Sequence, residues 1–219
     1  MKKLFALLFF FSSFLILNAQ DKKLNLIVGT YTKSCDSKGI YVYEFDSKTA
    51  DFKFKNSSEN IINPSYLSVS NDNKFVYSIS ENDNKSSISA FGYNSKSGKL
   101  DFINHQNPNG LNPCYVINDD KNVITANYSS GNISVLGKNI DGSIGEAKQL
   151  VQHTGKSINT NRQEAAHAHM VYFSPDKKYV LANDLGTDKV YVYNYNPNSQ
   201  TEVLKLKSSV NCTPGSGPR

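Results

Sequence analysis

The sequence has no tryptophan and only three cysteines among its 219 residues. Cys35, Cys114 and Cys212 lie far apart without Cys-x-x-Cys spacing, which argues against a zinc site or a disulfide framework and allows at most one pair. The net charge is also small: its formal value is +5, and the Lys and Arg residues are scattered. Nucleic-acid binding is therefore not expected, because it requires a clustered basic surface.

A stretch long enough to span a membrane is lacking as well. The longest apolar run, residues 4–17, contains 14 residues (17 − 4 + 1), whereas a membrane-spanning helix needs about 20. Lys2 and Lys3 precede it and the small residue Ala19 follows it, a pattern typical of a secretory signal. We therefore predict a signal peptide at residues 1–19, export to the periplasm and no further membrane segment. An uncleaved membrane anchor is the alternative.

What the sequence does contain is an internal repeat. Asn63-Pro64 superposes on Asn112-Pro113 when the chain is shifted by 49 positions (113 − 64). Each unit consists of a short strand, a polar turn, a β-branched strand such as 75–79 (FVYSI), a second turn and two further strands. A third copy begins near Ala168 and has its next strands at 179–182 and 189–195.

Units of about 40–50 residues with four alternating strands are typical of propeller blades. The predicted fold is therefore all-β: a β-propeller of four-stranded antiparallel blades, with an antiparallel sandwich as the alternative. The first copy starts one strand late, because 26–30 (LIVGT) aligns with the second strand of the next unit. Residues 214–219 resemble the entry to another first strand. We expect a ring that this chain does not close.

The most unusual segment is 161–170 (NRQEAAHAHM), which precedes the third copy and holds two of the four histidines. If it is extended, His167 and His169 point to one side, because strand side chains alternate, and Ala168 faces the sheet interior. The first strands of blades face the central channel, so the channel mouth is the predicted site. Asp184, at the end of the next strand, could approach it.

Several motifs along the chain belong together. In the N-terminal half they are 28–32 (VGTYT), 39–43 (GIYVY), 63–67 (NPSYL) and 126–132 (ANYSSGN). In the C-terminal half they are 166–169 (AHAH), 173–176 (FSPD), 183–188 (NDLGTD) and 215–219 (GSGPR). In this order they resemble the seven-bladed lactonase propellers, which include bacterial 6-phosphogluconolactonase and fungal carboxymuconate-lactonizing enzymes. The resemblance covers residues 20–219 as one partial domain with about four of seven blades, so we expect a C-terminally truncated fragment that is inactive alone.

The resemblance implies hydrolysis of a cyclic ester, a small-molecule sugar-type lactone, by a polar set on one face of the ring. The set consists of Glu164, His167, His169, Asp184 and Arg219. Opening a lactone needs an activated water and a positive group for the oxyanion, which histidine and arginine can supply. His169 is the first choice of base and His167 the second. Arg219 would hold the oxyanion, and Glu164 or Asp184 would orient a histidine.

Other interpretations of these residues stay open. His-x-His with a carboxylate could bind zinc, although no metal or cofactor is expected, and Arg219 could be an ordinary turn residue. A non-catalytic propeller that serves as a binding or cell-surface module would need none of these side chains. No Gly-x-Ser-x-Gly motif supports a serine nucleophile of the hydrolase-elbow type. We expect the complete protein to be a monomer.

The remaining histidines, tyrosines and cysteines carry no predicted chemistry. We expect His105 and His153 at the surface and the cysteines to be buried. Four tyrosines are expected to edge the pocket or to pack within blades: Tyr31, Tyr66, Tyr115 and Tyr128.

Overall fold

The computed structural model describes residues 23–219, which form fifteen β-strands and one short 3₁₀ helix, Asp83–Lys85. The all-β prediction is confirmed. Residues 1–19, the predicted signal peptide, lie outside the described residues. From residue 23 onwards, no helix is long and apolar enough to cross a bilayer.

The strands form four antiparallel sheets, each built from strands that are consecutive in the chain. The first contains β1 (Lys23–Val28), β2 (Gly39–Asp46) and β3 (Phe52–Glu59). The second contains β4 (Leu67–Val69), β5 (Phe75–Ser80), β6 (Ser87–Asn94) and β7 (Lys99–Gln106). The third contains β8 (Pro113–Asn118), β9 (Asn122–Asn127), β10 (Asn132–Lys138) and β11 (Ile144–Gln152). The fourth contains β12 (Ala168–Phe173), β13 (Tyr179–Asp184), β14 (Lys189–Tyr195) and β15 (Leu204–Asn211).

The four sheets correspond to the four predicted units. Within the described residues the first sheet has three strands, as the late start of the first copy predicted. The same turn chemistry recurs between first and second strands: the Ser70 hydroxyl donates to Asp72 at 2.6 Å, and the Ser174 hydroxyl donates to Asp176 at 2.7 Å. These serine–aspartate bonds close the turns locally, which explains why the repeat is visible in the sequence.

The hydrophobic core lies between neighbouring sheets rather than within any one of them. One cluster joins the second and third sheets through residues such as Ile79 and Val123, and another joins the third and fourth through Ile133 and Val180. Because the third sheet is covered on both faces, every residue of β9 is buried. Burial of both faces of a sheet by its neighbours is the packing expected of propeller blades.

The outer faces of the first and fourth sheets are much less covered. Phe52 of β3 is 68% exposed and Val210 of β15 is 60% exposed. The second and third sheets, with a sheet on each side, therefore hold the best-packed part of the described chain.

Candidate functional site

One position of the repeat faces the same pocket in successive sheets. Cys114 and His169 are each the second residue of a first strand, and Ser65 lies two residues before β4. Their spacings are 49 (114 − 65) and 55 (169 − 114) residues, and all three line one pocket. Arg219 stands 50 residues (219 − 169) after His169 at the corresponding place. Repetition of the fold thus brings side chains that are distant in sequence to one location.

The side chain of His169 is aimed by a β-bulge. Strands β12 and β13 pair Ala168 with Asp184 and Met170 with Asn183, so His169 is the extra residue between two consecutive pairs. The same irregularity occurs at Cys114, between the pairs formed by Pro113 and Tyr115 with β9. Bulges frequently re-aim a side chain next to an active site. The sequence prediction relied on side chains that alternate between the two faces of a strand, and the bulge interrupts this alternation at the start of β12. Ala168 is nevertheless fully buried, as predicted.

The pocket has a volume of about 350 Å³ and draws residues from all four sheets. Its lining consists of Tyr31, Ser65, Glu81, Asn112, Cys114, Tyr128, Ser129 and His169. A larger cavity of about 770 Å³ lies beside the outer strands of the first two sheets, around Phe102 and His105. None of the five predicted site residues lines that larger cavity, so the smaller pocket is the candidate functional site.

His169 has the environment of a neutral base. Burial lowers the pKa of its imidazole, and the positive charges of Arg219 and Arg162 lower it further, against an opposing contribution from Glu81. Its ring meets the edge of Tyr128, with centroids 5.6 Å apart. Among the described residues no other side chain hydrogen-bonds the ring. At neutral pH His169 is therefore unprotonated and can accept a proton.

His167 also contacts Tyr128 but occupies a different environment. Its ring stacks on Tyr128 with centroids 4.4 Å apart and lies 3.0 Å from the Tyr128 carbonyl oxygen through Nδ1. Its Nε2 lies 3.1 Å from Glu164 Oε1. Glu164 itself is exposed, and hydrogen bonds from its own backbone and from His167 hold the pKa of its carboxyl below the ordinary value. With both ring nitrogens engaged, His167 supports the pocket wall.

Asp184 does not reach the pocket. Its carboxylate is fully buried and accepts hydrogen bonds from the backbone N–H of His167 at 2.9 Å and of Thr187 at 3.0 Å. Its other oxygen pairs with His153 Nδ1 at 2.7 Å. Burial alone would raise the pKa of Asp184, but the His153 ring and the two N–H groups hold it below the ordinary value. Asp184 therefore acts on the His167 backbone, whereas its ring partner is His153.

The predicted surface location of His153 is wrong. His153 is 4% exposed, stacks on Tyr191 with centroids 4.0 Å apart, and its Nε2 lies 2.7 Å from the Tyr193 hydroxyl. It immediately follows β11, an outer strand of mixed polarity that gave no sign of burial. Its partners come from the next sheet and are 31 and 40 residues away. His105 is exposed, as predicted.

Arginine and glutamate side chains complete the electrostatics of the pocket. Arg219 is exposed, its carbonyl oxygen accepts a hydrogen bond from Asn183 Nδ2 at 2.7 Å, and its charge acts on His169. Arg162 donates to the Tyr128 hydroxyl at 3.3 Å, and Glu81 accepts from the Tyr31 hydroxyl at 3.0 Å. Sequence reasoning assigned no role to Arg162 or Glu81.

The sequence contains features from which Arg162 and Glu81 could have been assigned to the pocket. Arg162 lies in the segment with the two histidines, and its charge was visible there. Glu81 follows the last residue of β5 just as Tyr128 follows the last residue of β9. Aligning the ends of the second strands would therefore have placed Glu81 beside the pocket.

The tyrosines and cysteines divide between the pocket and packing. Tyr31 and Tyr128 line the pocket, whereas Tyr66 and Tyr115 stack with centroids 3.9 Å apart. Burial, with a smaller contribution from the Glu81 charge, raises the pKa of Cys114 to about 12, so this thiol is a poor nucleophile. All three cysteines are unpaired, and Cys35 is exposed, which corrects the expectation that the cysteines are buried.

A metal centre needs several ligands that converge on one point. Within residues 23–219 no group of three or more His, Cys, Asp or Glu side chains is arranged to hold a metal ion. The two histidines of the His-x-His motif both contact the Tyr128 ring, His167 by stacking and His169 at nearly a right angle.

Comparison with known proteins gives one consistent result. The profile of the family described as "Lactonase, 7-bladed beta-propeller" matches residues 25–219. The chain is 39% identical over 194 residues to the 6-phosphogluconolactonase of Bacillus subtilis, which covers 88% of this chain and 54% of that protein.

Solved structures agree with the sequence relatives. A protein from Bacteroides fragilis superposes with a TM-score of 0.87 at 39% identity, covering 92% of this chain and 58% of that one. The periplasmic gluconolactonase of Pseudomonas aeruginosa superposes with a TM-score of 0.82 at 31% identity, covering 90% and 58% of the two chains. The chain thus spans between 54% and 58% of the length of these three relatives.

Proposed function

We propose that this chain, which belongs to the lactonase family of seven-bladed β-propellers, carries the active site of a hydrolase that opens sugar-type lactones. The observation that carries the proposal is His169, a bulge residue in a pocket, with a lowered pKa and no competing side-chain hydrogen bond among the described residues. The positive charge of Arg219 is close enough to lower the His169 pKa further. A base and a nearby cation are the two elements that ester hydrolysis requires.

In the proposed reaction His169 takes a proton from a water molecule, whose oxygen forms a bond to the lactone carbonyl carbon. Arg219 stabilises the oxyanion that develops, and Arg162 adds a second positive charge. Collapse of the tetrahedral intermediate breaks the ring C–O bond. The departing ring oxygen takes the proton from the His169 imidazolium, so lactone and water give one hydroxy acid. His169 is preferred to His167 because both nitrogens of His167 are engaged.

The proposed substrate is an unphosphorylated sugar lactone, met outside the cytoplasm. Two observations support this choice: residues 1–19 have the pattern of a secretory signal, and a relative at 31% identity is a periplasmic gluconolactonase. The phosphorylated sugar lactone is a cytoplasmic intermediate, which an exported enzyme would not meet. Fractionation of cells that express the protein with and without residues 1–19 tests export.

The test of the activity uses the protein produced from its complete coding sequence without residues 1–19. Hydrolysis of glucono-δ-lactone and of its 6-phosphate is followed by pH-stat above the spontaneous rate. We expect His169→Gln to lower kcat about 100- to 10,000-fold and Arg219→Gln to lower it about 100- to 1,000-fold. The rate of the unmodified protein should fall on acidification through a pKa below 6.5, because His169 must be unprotonated.

The matched control is His105→Gln, which changes an exposed histidine of β7 outside the pocket and should leave the rate unchanged. Full activity in both His169→Gln and Arg219→Gln would contradict the assignment of the site. A protein that lacks hydrolysis of every lactone tried, while still binding one, would instead be a non-catalytic binding module. Loss of activity on chelation would revive the metal interpretation of the histidine pair.

A further inference from the structure

Residues 183–188, which comprise the end of β13 and the turn to β14, lie between the segment that leads to His169 and the segment that carries Arg219. On one side it contacts residues 163–167, which lead into β12, and on the other it contacts residues 215–219. Neither segment adjacent to the catalytic candidates belongs to a strand. Their positions therefore depend on what they bind, and both bind this turn.

The contacts on the histidine side are made at close range. The Asp184 carboxylate accepts the N–H of His167, and the Leu185 N–H donates to the His167 carbonyl oxygen at 2.9 Å. Gln163 Nε2 donates to the Leu185 carbonyl oxygen at 2.8 Å. Gly186 lies so close that a Cβ there would stand 1.8 Å from the Ala165 carbonyl oxygen. The backbone two residues before His169 is thus held by hydrogen bonds on both its donor and its acceptor.

The contacts on the arginine side centre on Asp188, which is 3% exposed. One of its oxygens accepts from Gly217 N at 2.7 Å, and the other accepts from Gly215 N at 2.6 Å and from the Ser157 hydroxyl at 2.5 Å. Despite its burial, these donors lower the pKa of Asp188 to about 2, so it is an anion at neutral pH.

We propose that residues 183–188 form a positioning clamp, in which Asp184 fixes the segment of His169 and Asp188 fixes the segment of Arg219. The clamp touches no substrate and acts through these two residues. Its catalytic consequence rests on the proposed function, because it matters for turnover only if His169 and Arg219 act together. Its structural claim, that Asp188 holds the Arg219 charge near His169, is independent of any activity.

Asp188→Asn is the informative variant. Both carboxylate oxygens accept from donors, and an amide nitrogen cannot accept, so asparagine must lose one set of bonds while keeping the shape of the side chain. The matched control is Asp176→Asn, because Asp176 is also a turn carboxylate of the fourth sheet, accepting from the Lys178 N–H, and is exposed. Asn183→Ala is a milder second variant that removes only the amide bond to the Arg219 carbonyl oxygen.

The first measurement is the pKa of His169 by NMR titration of ¹⁵N-histidine-labelled protein, with His169→Gln to assign its signals. Arg219→Gln should raise this pKa, because a nearby positive charge is removed. Asp188→Asn should raise it in the same direction, Asn183→Ala less so, and Asp176→Asn not at all. An unchanged pKa in both Asp188→Asn and Asn183→Ala, with a raised one in Arg219→Gln, would overturn the clamp.

The second measurement is a double-mutant cycle on lactone hydrolysis. Asp188→Asn alone should lower kcat/KM about 100-fold, the cost of misplacing a catalytic group by about 1 Å. Added to Arg219→Gln, it should cost little more, because its effect passes through Arg219. Additive losses would overturn the clamp, since they would mean that Asp188 acts elsewhere. If the NMR shifts appear but the unmodified protein hydrolyses no lactone, the proposed function fails and the structural clamp stands.

Discussion

Four junction residues stand two positions before Ser65, Cys114, His169 and Arg219, and their backbone N–H groups donate to two kinds of acceptor. They are Asn63, Asn112, His167 and Gly217. At the first two junctions the acceptor of the backbone N–H is a hydroxyl. Asn63 donates to Thr32 Oγ1 at 3.0 Å, and Asn112 donates to Ser86 Oγ at 3.1 Å. Neutral hydrogen bonds suffice there to attach one sheet to the next.

At the last two junctions the acceptor is a carboxylate. His167, which leads into β12, donates at 2.9 Å to Asp184 of β13 in the same sheet, and Gly217 donates at 2.7 Å to Asp188 of the β13–β14 turn. Hydrogen bonds to an ionised acceptor are about twice as strong as neutral ones. The two residues whose N–H groups have charged acceptors, His167 and Gly217, stand two positions before His169 and Arg219, to which we assign catalysis.

The difference between hydroxyl and carboxylate acceptors corresponds to two roles, packing of sheets and positioning of the proposed catalytic residues. Packing of neighbouring sheets tolerates small adjustments at a junction, because the buried side chains between the sheets define their distance. A catalytic pair must be held much more closely, and a carboxylate that accepts several N–H groups is a stiffer support. A charged support also makes stability depend on pH, which a hydroxyl does not.

Removal of the Asp184 carboxylate should have the largest effect on stability. Asp184→Ala should lower the free energy of unfolding by about 3–5 kcal/mol, because the His153 ring and two backbone N–H groups lose their buried acceptor. Urea unfolding followed by circular dichroism measures this loss. Asp176→Ala, at an exposed turn of the same sheet, should cost about 1 kcal/mol or less. A loss for Asp184→Ala no larger than that of the control would contradict the assigned role.

A second test leaves the carboxylates in place and changes the space between them. Gly186→Ala should cost about 1–3 kcal/mol by overpacking, because the added methyl group meets the Ala165 carbonyl oxygen. It should also lower lactone hydrolysis, since the segment before His169 must move. Gly137→Ala is the control, because a Cβ at Gly137 meets nothing within 4 Å. Equal stability of the two variants in thermal unfolding would show that the segment yields without cost.

These contacts mark the limit of what the sequence could predict. The repeat predicted four sheets, the short first sheet and strand β14 at residues 189–195, because turn chemistry and strand patterning are local. The bulge at His169 was not predictable, since it depends on how β12 pairs with β13. The burial of His153 depends likewise on side chains of the next sheet.

The candidate site was predictable to a similar extent. The resemblance implied a set of five residues: Glu164, His167, His169, Asp184 and Arg219. Of these, His169 and Arg219 occupy the same position of successive repeats, and the Arg219 charge acts on His169. The roles of the two aspartates were not predictable, because a carboxylate that binds backbone N–H groups and one that faces a substrate look alike in a sequence. Their difference lies in burial and in the partners that the fold supplies.

Low pH distinguishes the two kinds of junction, because a carboxylate acceptor can be protonated there and a hydroxyl acceptor is unaffected. The pKa of Asp188 is lowered from 3.8 to about 2, so its stabilising effect is complete above pH 3.8 and is lost as the pH falls towards 2. Asp188→Asn should therefore be less stable than the unmodified protein at pH 6, and the difference should shrink between about pH 4 and pH 2. Thermal unfolding across this range measures it. A difference that stays constant with pH would contradict an ionised junction.

The smallest effect is expected at a hydroxyl junction. Ser86→Ala removes the acceptor of the Asn112 N–H and a donor to the Asp83 carbonyl oxygen, and should cost about 0.5–1.5 kcal/mol as neutral hydrogen bonds do. Ser87→Ala is the control, because the Ser87 hydroxyl has no hydrogen bond within residues 23–219. The loss for Ser86→Ala should be the same at pH 3 and pH 6, since no charge is involved. If it instead varied with pH as Asp188→Asn does, the division between neutral and charged junctions would fail.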